Sequence, residues 1–270
     1  MRAASLVRLT RRACALTLLT LPAACASGGA QTSSPTPSAN RAAPDVTPST
    51  PVERLSTTAG MQQTRPTVAV LYFTNGAIGN NAEYAPLSKG LAEMLITELA
   101  ANTNIRVVER DRLQALLAEQ DLGASGRVEE QTAAKLGKTL GALHMLMGSF
   151  VIDTKDRIRM DVRAINTETS ELEYATSVTG KADDMLGLLA SLGEKVNKGL
   201  KLPDVPSGFS QGAAVGAKGP NQLKSMMLLS RALEQQDRKN NAAAVALYQQ
   251  SLEANPQNAR ARVLLASIRD

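Results

Sequence analysis

The residue with the clearest chemistry in this 270-residue sequence is Cys25, one of only two cysteines; the other is Cys14. Four arginines and no acidic residue precede Cys25, and an apolar run over residues 13–21 leads to Pro22-Ala-Ala-Cys25. A positive start, a short apolar run and a small-residue exit are typical of a secretory signal. Cys25 stands where a lipoprotein signal places its lipidated cysteine. We therefore expect lipid on Cys25, with ordinary cleavage at Ala24-Cys25-Ala26 as the alternative.

Other candidate chemistry is sparse. The only histidine, His144, lies in an apolar, strand-like run, which favours a core residue over a catalytic base. The charges of Glu109-Arg-Asp-Arg112 follow a predicted strand, and helix capping and ion pairs explain them better than catalytic acids. Gly137-Lys138-Thr139 is similar to the end of a phosphate-binding loop, but Thr132 stands where that motif needs its first glycine. No serine or cysteine nucleophile has a visible partner set.

These residues predict a protein that is not an enzyme and has no cofactor. One histidine and no spare cysteine exclude the common zinc frameworks, so we expect no metal site. The chain has 30 basic and 25 acidic residues, and removal of the signal with its four arginines leaves 26 against 25. This near-neutral balance, without a basic tract, predicts no nucleic-acid partner.

Composition divides the chain into five parts. Residues 1–24 form the predicted signal peptide, and residues 25–65 are rich in Ser, Thr, Pro, Ala and Gly, which predicts a disordered tether. An α/β domain is expected over 66–202. A Pro- and Gly-containing linker follows over 203–220, and helices occupy 221–270.

Periodicity within 66–202 predicts alternating elements. Residues 157–165 alternate strictly between apolar and charged side chains, which indicates a strand with one solvated face. Asp111 is a plausible N-cap for a helix that stops near Gly123. The other strands are expected at 67–73, 105–108, 142–151 and 171–180, and the other helices at 87–101, 128–140 and 183–200. Helices between the early strands and a late hairpin predict an α/β fold: a mixed sheet with flanking helices.

The last fifty residues predict helices at 221–237 and 241–254 and a further helical start at 258–268. Ala244, Tyr248, Leu252 and Pro256 have the spacing of the second half of a tetratricopeptide repeat, and the first half matches if the turn is lengthened. A single repeat cannot close its own apolar face. The segment therefore either caps the main domain as a helical hairpin or binds a peptide or partner protein. The candidate partner-binding residues are Met226, Leu229, Leu233 and Tyr248.

Several phrases of residues 66–202 match one known family in order and spacing: Val68-Ala-Val-Leu-Tyr-Phe73, Leu87-Ser-Lys-Gly-Leu-Ala-Glu-Met94, Val107-Val-Glu-Arg-Asp-Arg-Leu113, Thr132-Ala-Ala-Lys-Leu-Gly137 and Met147-Gly-Ser149. The segment resembles the domain shared by the curli secretion lipoprotein CsgG and its relatives. The resemblance implies a CsgG-like α/β fold and a lipoprotein on the periplasmic face of the outer membrane.

One departure from the family bears on function. The resemblance implies that a secretion channel of this family inserts two long strand hairpins per subunit into the membrane. Here about four residues separate the strands near 153–156, and residues 166–170 join the next pair. We therefore expect a non-catalytic scaffold or partner-binding component of an envelope assembly that lacks the pore hairpins. A subunit of a curli-type secretion ring is the alternative. The expected partners are the membrane, through the lipid anchor, and envelope proteins or further copies of the chain.

Overall fold

The computed structural model describes residues 65–76, 81–120, 128–205 and 221–269. These residues lie in one compact unit, which spans Gly60–Asp270. Every helix in the described ranges is too short or too polar to cross a membrane. The predicted signal, the lipidation position Cys25 and most of the predicted tether and linker lie outside the described residues.

Six strands form one mixed sheet with the order β3-β1-β4-β5-β6, and β2 also pairs with β4. The pairs β1–β3, β1–β4 and β2–β4 are parallel, whereas β4–β5 and β5–β6 are antiparallel. The α/β fold with a mixed sheet is thus confirmed. The strands are β1 Thr67–Val70, β2 Thr74–Asn75, β3 Arg106–Val107, β4 His144–Ile152, β5 Arg157–Asn166 and β6 Leu172–Lys181.

The alternation in β5 determines which face of the sheet is covered. Ile158, Met160 and Val162 are fully or almost fully buried, while the alternating residues Arg157 and Arg159 are exposed. Successive side chains of a strand point to opposite faces, so one face of β5 packs in the core and the other meets solvent. Residues 153–156 join β4 to β5, and residues 167–171 join β5 to β6.

Helix α2 is the central helix of the fold. Twelve of its fourteen residues are buried, and it packs against β1, α5 and α6. A helix that is buried nearly all round lies between layers, not on the surface. The helices are α1 Asn81–Tyr84, α2 Leu87–Ala100, α3 Arg110–Glu119, α4 Glu130–Leu140, α5 Met185–Gly199, α6 Gln222–Asp237, α7 Asn241–Ala254 and α8 Ala259–Arg269.

Two helix ends bear on the sequence predictions. The N-cap of α3 is Glu109 with extended backbone, so the prediction of Asp111 as the N-cap is wrong; Asp111 lies in the first turn. An acidic residue in the first turn still complements the positive end of the helix dipole. Helix α4 ends at Gly141, whose φ of 67° is left-handed, a conformation that suits glycine at a helix end.

The first of the C-terminal helices shares the main apolar core. Met226 and Met227 of α6 are buried in the same apolar cluster as the sheet, α2 and α5. A second, smaller cluster joins the remainder of α6 to α7 and α8 and contains Leu229, Ala232, Leu233, Ala244, Tyr248 and Ala261. Helix α6 therefore contributes side chains to both clusters. The predicted similarity to a tetratricopeptide repeat stays a prediction.

Candidate functional site

The four candidate partner-binding residues are all buried in the interior of the folded protein. Met226, Leu229, Leu233 and Tyr248 are each 0% exposed. Met226 packs in the main core, and the other three pack in the smaller cluster. In this conformation their side chains fill the interior of the C-terminal helices. Their role in partner binding stays a prediction.

The charged phrase that follows β3 leads to a different site. Arg110, in the first turn of α3, is buried, with 4% of its side chain exposed. Its Nε lies 3.2 Å from Oε2 of Glu93 on α2, and its Nη1 donates to Oδ1 of Asp237 on α6 over 2.7 Å. Its Nη2 donates to Oδ1 of the adjacent Asp111 over 2.6 Å. One guanidinium therefore joins three elements of the fold, and its planar fork of donors suits this task.

Glu93 receives a second cation from the far end of the chain. Its side chain is 2% exposed, and Nε of Arg260 on α8 donates to its Oε1 over 2.6 Å. The Nη2 of Arg260 also pairs with that oxygen. A buried carboxylate is costly unless it is paired, and Glu93 has an arginine at each oxygen.

Asp237, the last residue of α6, is shared in the same way. Its Oδ1 accepts from Arg110, and its Oδ2 accepts from Nζ of Lys89 over 2.5 Å. The same Nζ lies 3.3 Å from Oε1 of Gln114 and 5.3 Å from the centre of the Tyr72 ring. The hydroxyl of Tyr72 donates to that Gln114 oxygen over 2.7 Å. We refer to Lys89, Glu93, Arg110, Asp237 and Arg260 as the ion network.

The pKa directions agree with this arrangement. Burial opposes the charge of Arg110, but the charge and hydrogen bond of Asp237 more than offset it, and the pKa of Arg110 is raised. Burial raises the pKa of the Tyr72 phenol, against the opposing influence of Arg110. Burial likewise raises the pKa of the Tyr248 phenol, which donates to Oε1 of Gln236 over 2.9 Å. Both phenols are therefore neutral at physiological pH and act as hydrogen-bond donors.

A close helix crossing lies beside the ion network. A Cβ atom added to Gly90 of α2 would lie 1.9 Å from Oγ of Ser230 on α6. The two helices approach so closely that only glycine fits at position 90 without movement. Gly90 and its neighbours Lys89 and Glu93 thus present both a steric and an ionic surface to the C-terminal helices.

A second polar cluster holds the C-terminal helices to one another. The hydroxyls of Ser225 and Ser251 lie 2.9 Å apart, and Nδ2 of Asn258 donates to Oγ of Ser225 over 3.0 Å. Oδ1 of Asn258 accepts from the N–H of Ala261, which places it as a capping side chain at the start of α8. All three polar side chains are buried. The cluster fixes α6, α7 and α8 as a unit.

The remaining candidates from the sequence have structural partners. His144 is 8% exposed, and its Nδ1 lies 2.6 Å from Oε2 of Glu173. Gly137, Lys138 and Thr139 lie inside α4, where no loop could cradle a phosphate. The described residues contain no group of three or more His, Cys, Asp or Glu side chains placed to hold a metal ion.

The ion network is suited to holding elements in place. The carboxylates of Glu93 and Asp237 are each held by two cations, so both are engaged in joining helices of the fold. The sequence did single out the charges around Arg110 and the phrase that carries Lys89 and Glu93. It contained no signal for Asp237 or Arg260, because these partners lie 127 to 167 residues away along the chain.

The comparison with protein families matches the family described as "Curli production assembly/transport component CsgG" over residues 39–153. The resemblance to the CsgG family is confirmed for this segment. The CsgG-like segment carries Lys89, Glu93 and Arg110, whereas Asp237 and Arg260 lie beyond it. A search of the curated proteins finds no match.

The comparison with solved structures finds similarity to three proteins, each at low sequence identity. LpoB of Escherichia coli, solved by NMR, is 17% identical, with 58% of this chain and 90% of LpoB covered at a TM-score of 0.36. Lipoprotein GNA1162 of Neisseria meningitidis is 14% identical, with 49% and 94% covered at a TM-score of 0.34. The PelC dodecamer of Paraburkholderia phytofirmans is 14% identical, with 52% and 91% covered at a TM-score of 0.31.

Proposed function

We propose that this chain is a non-catalytic lipoprotein on the periplasmic face of the outer membrane, where it serves as a scaffold or partner-binding component of an envelope assembly. The observation that carries the proposal is the match of residues 39–153 to a family named for curli assembly and transport. The lipoprotein-type signal that ends at Cys25 supports the location.

The ion network supports a scaffold and not a catalyst. Its acids and bases neutralise one another inside the fold. They tie Lys89 and Arg110 of the CsgG-like segment to Asp237 of α6, which lies 148 and 127 residues further along the chain. A scaffold benefits from such ties because a rigid surface loses less entropy when a partner binds. The C-terminal helices then act first as a cap on the domain, and their role in partner capture is part of the proposal.

A subunit of a curli-type secretion ring is the second candidate, and the family name favours it. The strand connections favour the scaffold, because residues 153–156 and 167–171 are the whole of the links between β4, β5 and β6. Addition of the purified protein to planar lipid bilayers distinguishes the two candidates. We expect no discrete conductance; single-channel steps that scale with protein concentration would support the secretion ring.

The anchor is tested by Cys25→Ser, with Cys14→Ser as the matched control within the predicted signal. We expect Cys25→Ser to leave the membrane fraction and to lose incorporation of labelled palmitate, because a lipid chain supplies the membrane affinity. Cys14→Ser should behave as the wild type. Membrane association and labelling that persist in Cys25→Ser would contradict the anchor.

Partner capture is tested by crosslinking in envelope membranes followed by affinity purification of the full chain. We expect an envelope protein or a second copy of the chain to be recovered with the wild type, and less of it when α7 and α8 are removed. Recovery of the bait alone, at crosslinker doses that capture known envelope complexes, would contradict a partner-binding role.

A further inference from the structure

A groove lies between α2 and α5, near the C-terminal ends of both helices. Its volume is about 530 Å³. Charges of both signs line it, three acids and two lysines, so an uncharged occupant with an apolar group fits it better than an ion does. The apolar part of the lining comes from Ala101, Ala190, Leu202, Pro203 and Val205.

The chain leaves the α/β domain through this groove. Nδ2 of Asn102 donates to the carbonyl of Pro203 over 2.7 Å, and Nδ2 of Asn104 donates to the carbonyl of Asp204 over 2.8 Å. Asn102 is 1% exposed, so its amide is part of the interior of the fold. The two asparagines, which lie between α2 and β3, therefore hold the departing chain in place, and the next residue, Val205, lines the groove.

The described chain resumes at the other end of α5. Oε1 of Gln222, at the start of α6, accepts from the N–H of Leu186, at the start of α5, over 3.2 Å. Helix α5 has 15 residues and is therefore about 22 Å long. Residues 206–220, the linker segment, must return along this length, and the groove follows α5 in the same direction, from Lys198 back to Ala190. An extended segment of this length spans about 50 Å, so it is long enough to enter the groove on its way.

The linker segment contains one aromatic residue, Phe209, and its only charged residue is Lys218. The other phenylalanines of the chain, Phe73 and Phe150, are 0% exposed in the main core. Phe209 follows Val205 by four residues, which an extended chain covers in about 13 Å, and the groove runs along α5 for about 12 Å. Phe209 can therefore reach the whole groove. Burial of a phenylalanine ring against apolar side chains is favourable because it removes a large apolar area from water.

We propose that Phe209 docks its ring in the groove between α2 and α5 and so fastens the linker segment to the α/β domain. The chain then passes to α6 along a defined path, and the C-terminal helices gain a tie to the domain that is separate from the ion network. The inference goes beyond the proposed function. Its test needs neither a membrane nor a partner, so the two proposals fail separately.

Fluorine NMR of the purified full chain, labelled with para-fluorophenylalanine, gives one signal for each of the three phenylalanines. The signal that disappears in Phe209→Leu belongs to Phe209. We expect this signal to be shifted from that of a free peptide of residues 206–211, and a soluble paramagnetic probe should relax it several times less than it relaxes the peptide. A Phe209 signal at the position of the free peptide, with the same access to the probe, would overturn the inference.

Two further variants test whether the groove is the place where the ring docks. Ala190→Gln fills the groove from α5 and Ala101→Gln fills it from α2, so both should return the Phe209 signal to the position of the free peptide. Ser191→Gln, at a half-buried neighbouring position that does not line the groove, is the matched control and should leave the signal unchanged. The two core phenylalanine signals verify that each variant is folded. A Phe209 signal that stays protected in both folded groove variants would overturn the inference.

Discussion

Two sets of arginine–carboxylate pairs in this molecule use the same chemistry in opposite surroundings. Arg110 meets Asp237 at 2.7 Å with 4% of its side chain exposed, whereas Arg159 meets Asp161 at the same distance with 58% exposed. The first pair joins residues 127 apart in sequence, and the second joins residues two apart. Distance alone therefore does not distinguish them; burial and the chain separation do.

The difference teaches where the stability of the fold depends on charge. The charges of an exposed pair lose part of their hydration and gain only an attraction that water screens. Such a pair therefore contributes little to the free energy of unfolding. A buried pair has already lost its hydration, so removal of one partner leaves an uncompensated charge in the interior. We therefore expect substitutions in the ion network to have large effects and substitutions on the solvated face of the sheet to have small ones.

Arg110→Ala should give the largest effect. It leaves Glu93 with one cation and Asp237 with only Lys89, and a broken buried pair typically costs about 3–5 kcal/mol of the free energy of unfolding. Arg112→Ala, an exposed position on the same helix, is the matched control and should stay within about 0.5 kcal/mol of the wild type. Urea titrations of both variants measure the difference. Equal midpoints for the two would show that the ion network does not stabilise the fold.

Gly90→Ala tests whether the same interface also depends on shape. The added methyl would lie 1.9 Å from Oγ of Ser230, so α2 and α6 must separate, and overpacking of this kind costs about 1–3 kcal/mol. Ser230→Ala in the same chain should recover part of the loss, because the hydroxyl is the nearest atom. Thermal melts of the single and double variants check this expectation. A double variant no more stable than Gly90→Ala would mean that the clash is relieved elsewhere.

Arg159→Ala should have a small effect. The side chain lies on the solvated face of β5, and an exposed ion pair contributes little to the free energy of unfolding because water screens it. The same urea titration measures it, and added salt should reduce the difference further because exposed charges are screened. A loss as large as that of Arg110→Ala would contradict the distinction between the two sets of pairs.

Asp153→Asn should give the smallest change in the free energy of unfolding, and the change should depend on pH. The backbone N–H and side chain of Arg157, and then the backbone N–H of Lys155, hold the pKa of Asp153 below its ordinary value of 3.8. A lowered pKa in the folded state stabilises the fold above the unfolded pKa, and the gain disappears as the pH falls through the folded pKa. Asp153→Asn should therefore differ from the wild type at neutral pH and converge with it in strong acid. NMR titration of the Asp153 carboxyl measures the pKa directly, and a value at or above the ordinary one would contradict the prediction.

Much of the fold could be predicted because its signals are local. The strict alternation at 157–165 gave a strand that the structure places at Arg157–Asn166, and the apolar stripe at 87–101 gave α2 at Leu87–Ala100. The predicted strand at 67–73 ends early, at Val70, because the N–H of Phe73 donates to the carbonyl of Ser88 and leaves the ladder. That contact depends on the loop and helix that follow, which periodicity does not describe.

Only part of the ion network could be predicted from the sequence. The sequence marked the charges around Arg110 but favoured solvated positions, because arginine is seldom buried without partners. Its burial depends on Asp237 and, through Glu93, on Arg260, and a single sequence has no pattern that links residues so far apart. The composition of residues 203–220 likewise indicates a boundary, although the helix that follows places Met226 and Met227 in the core before it.

The spacing of the ion network along the chain also sets an order of events during synthesis. Glu93 is made 167 residues before Arg260, which corresponds to about ten seconds or more at roughly 5–20 residues per second. Until α6 has been made, Arg110 lacks Asp237 and α2 is not covered by α6, and Arg260 reaches Glu93 only after that. The emerging chain therefore completes its fold late. For a chain with a predicted export signal, such a delay preserves a threadable, unfolded form until translocation begins.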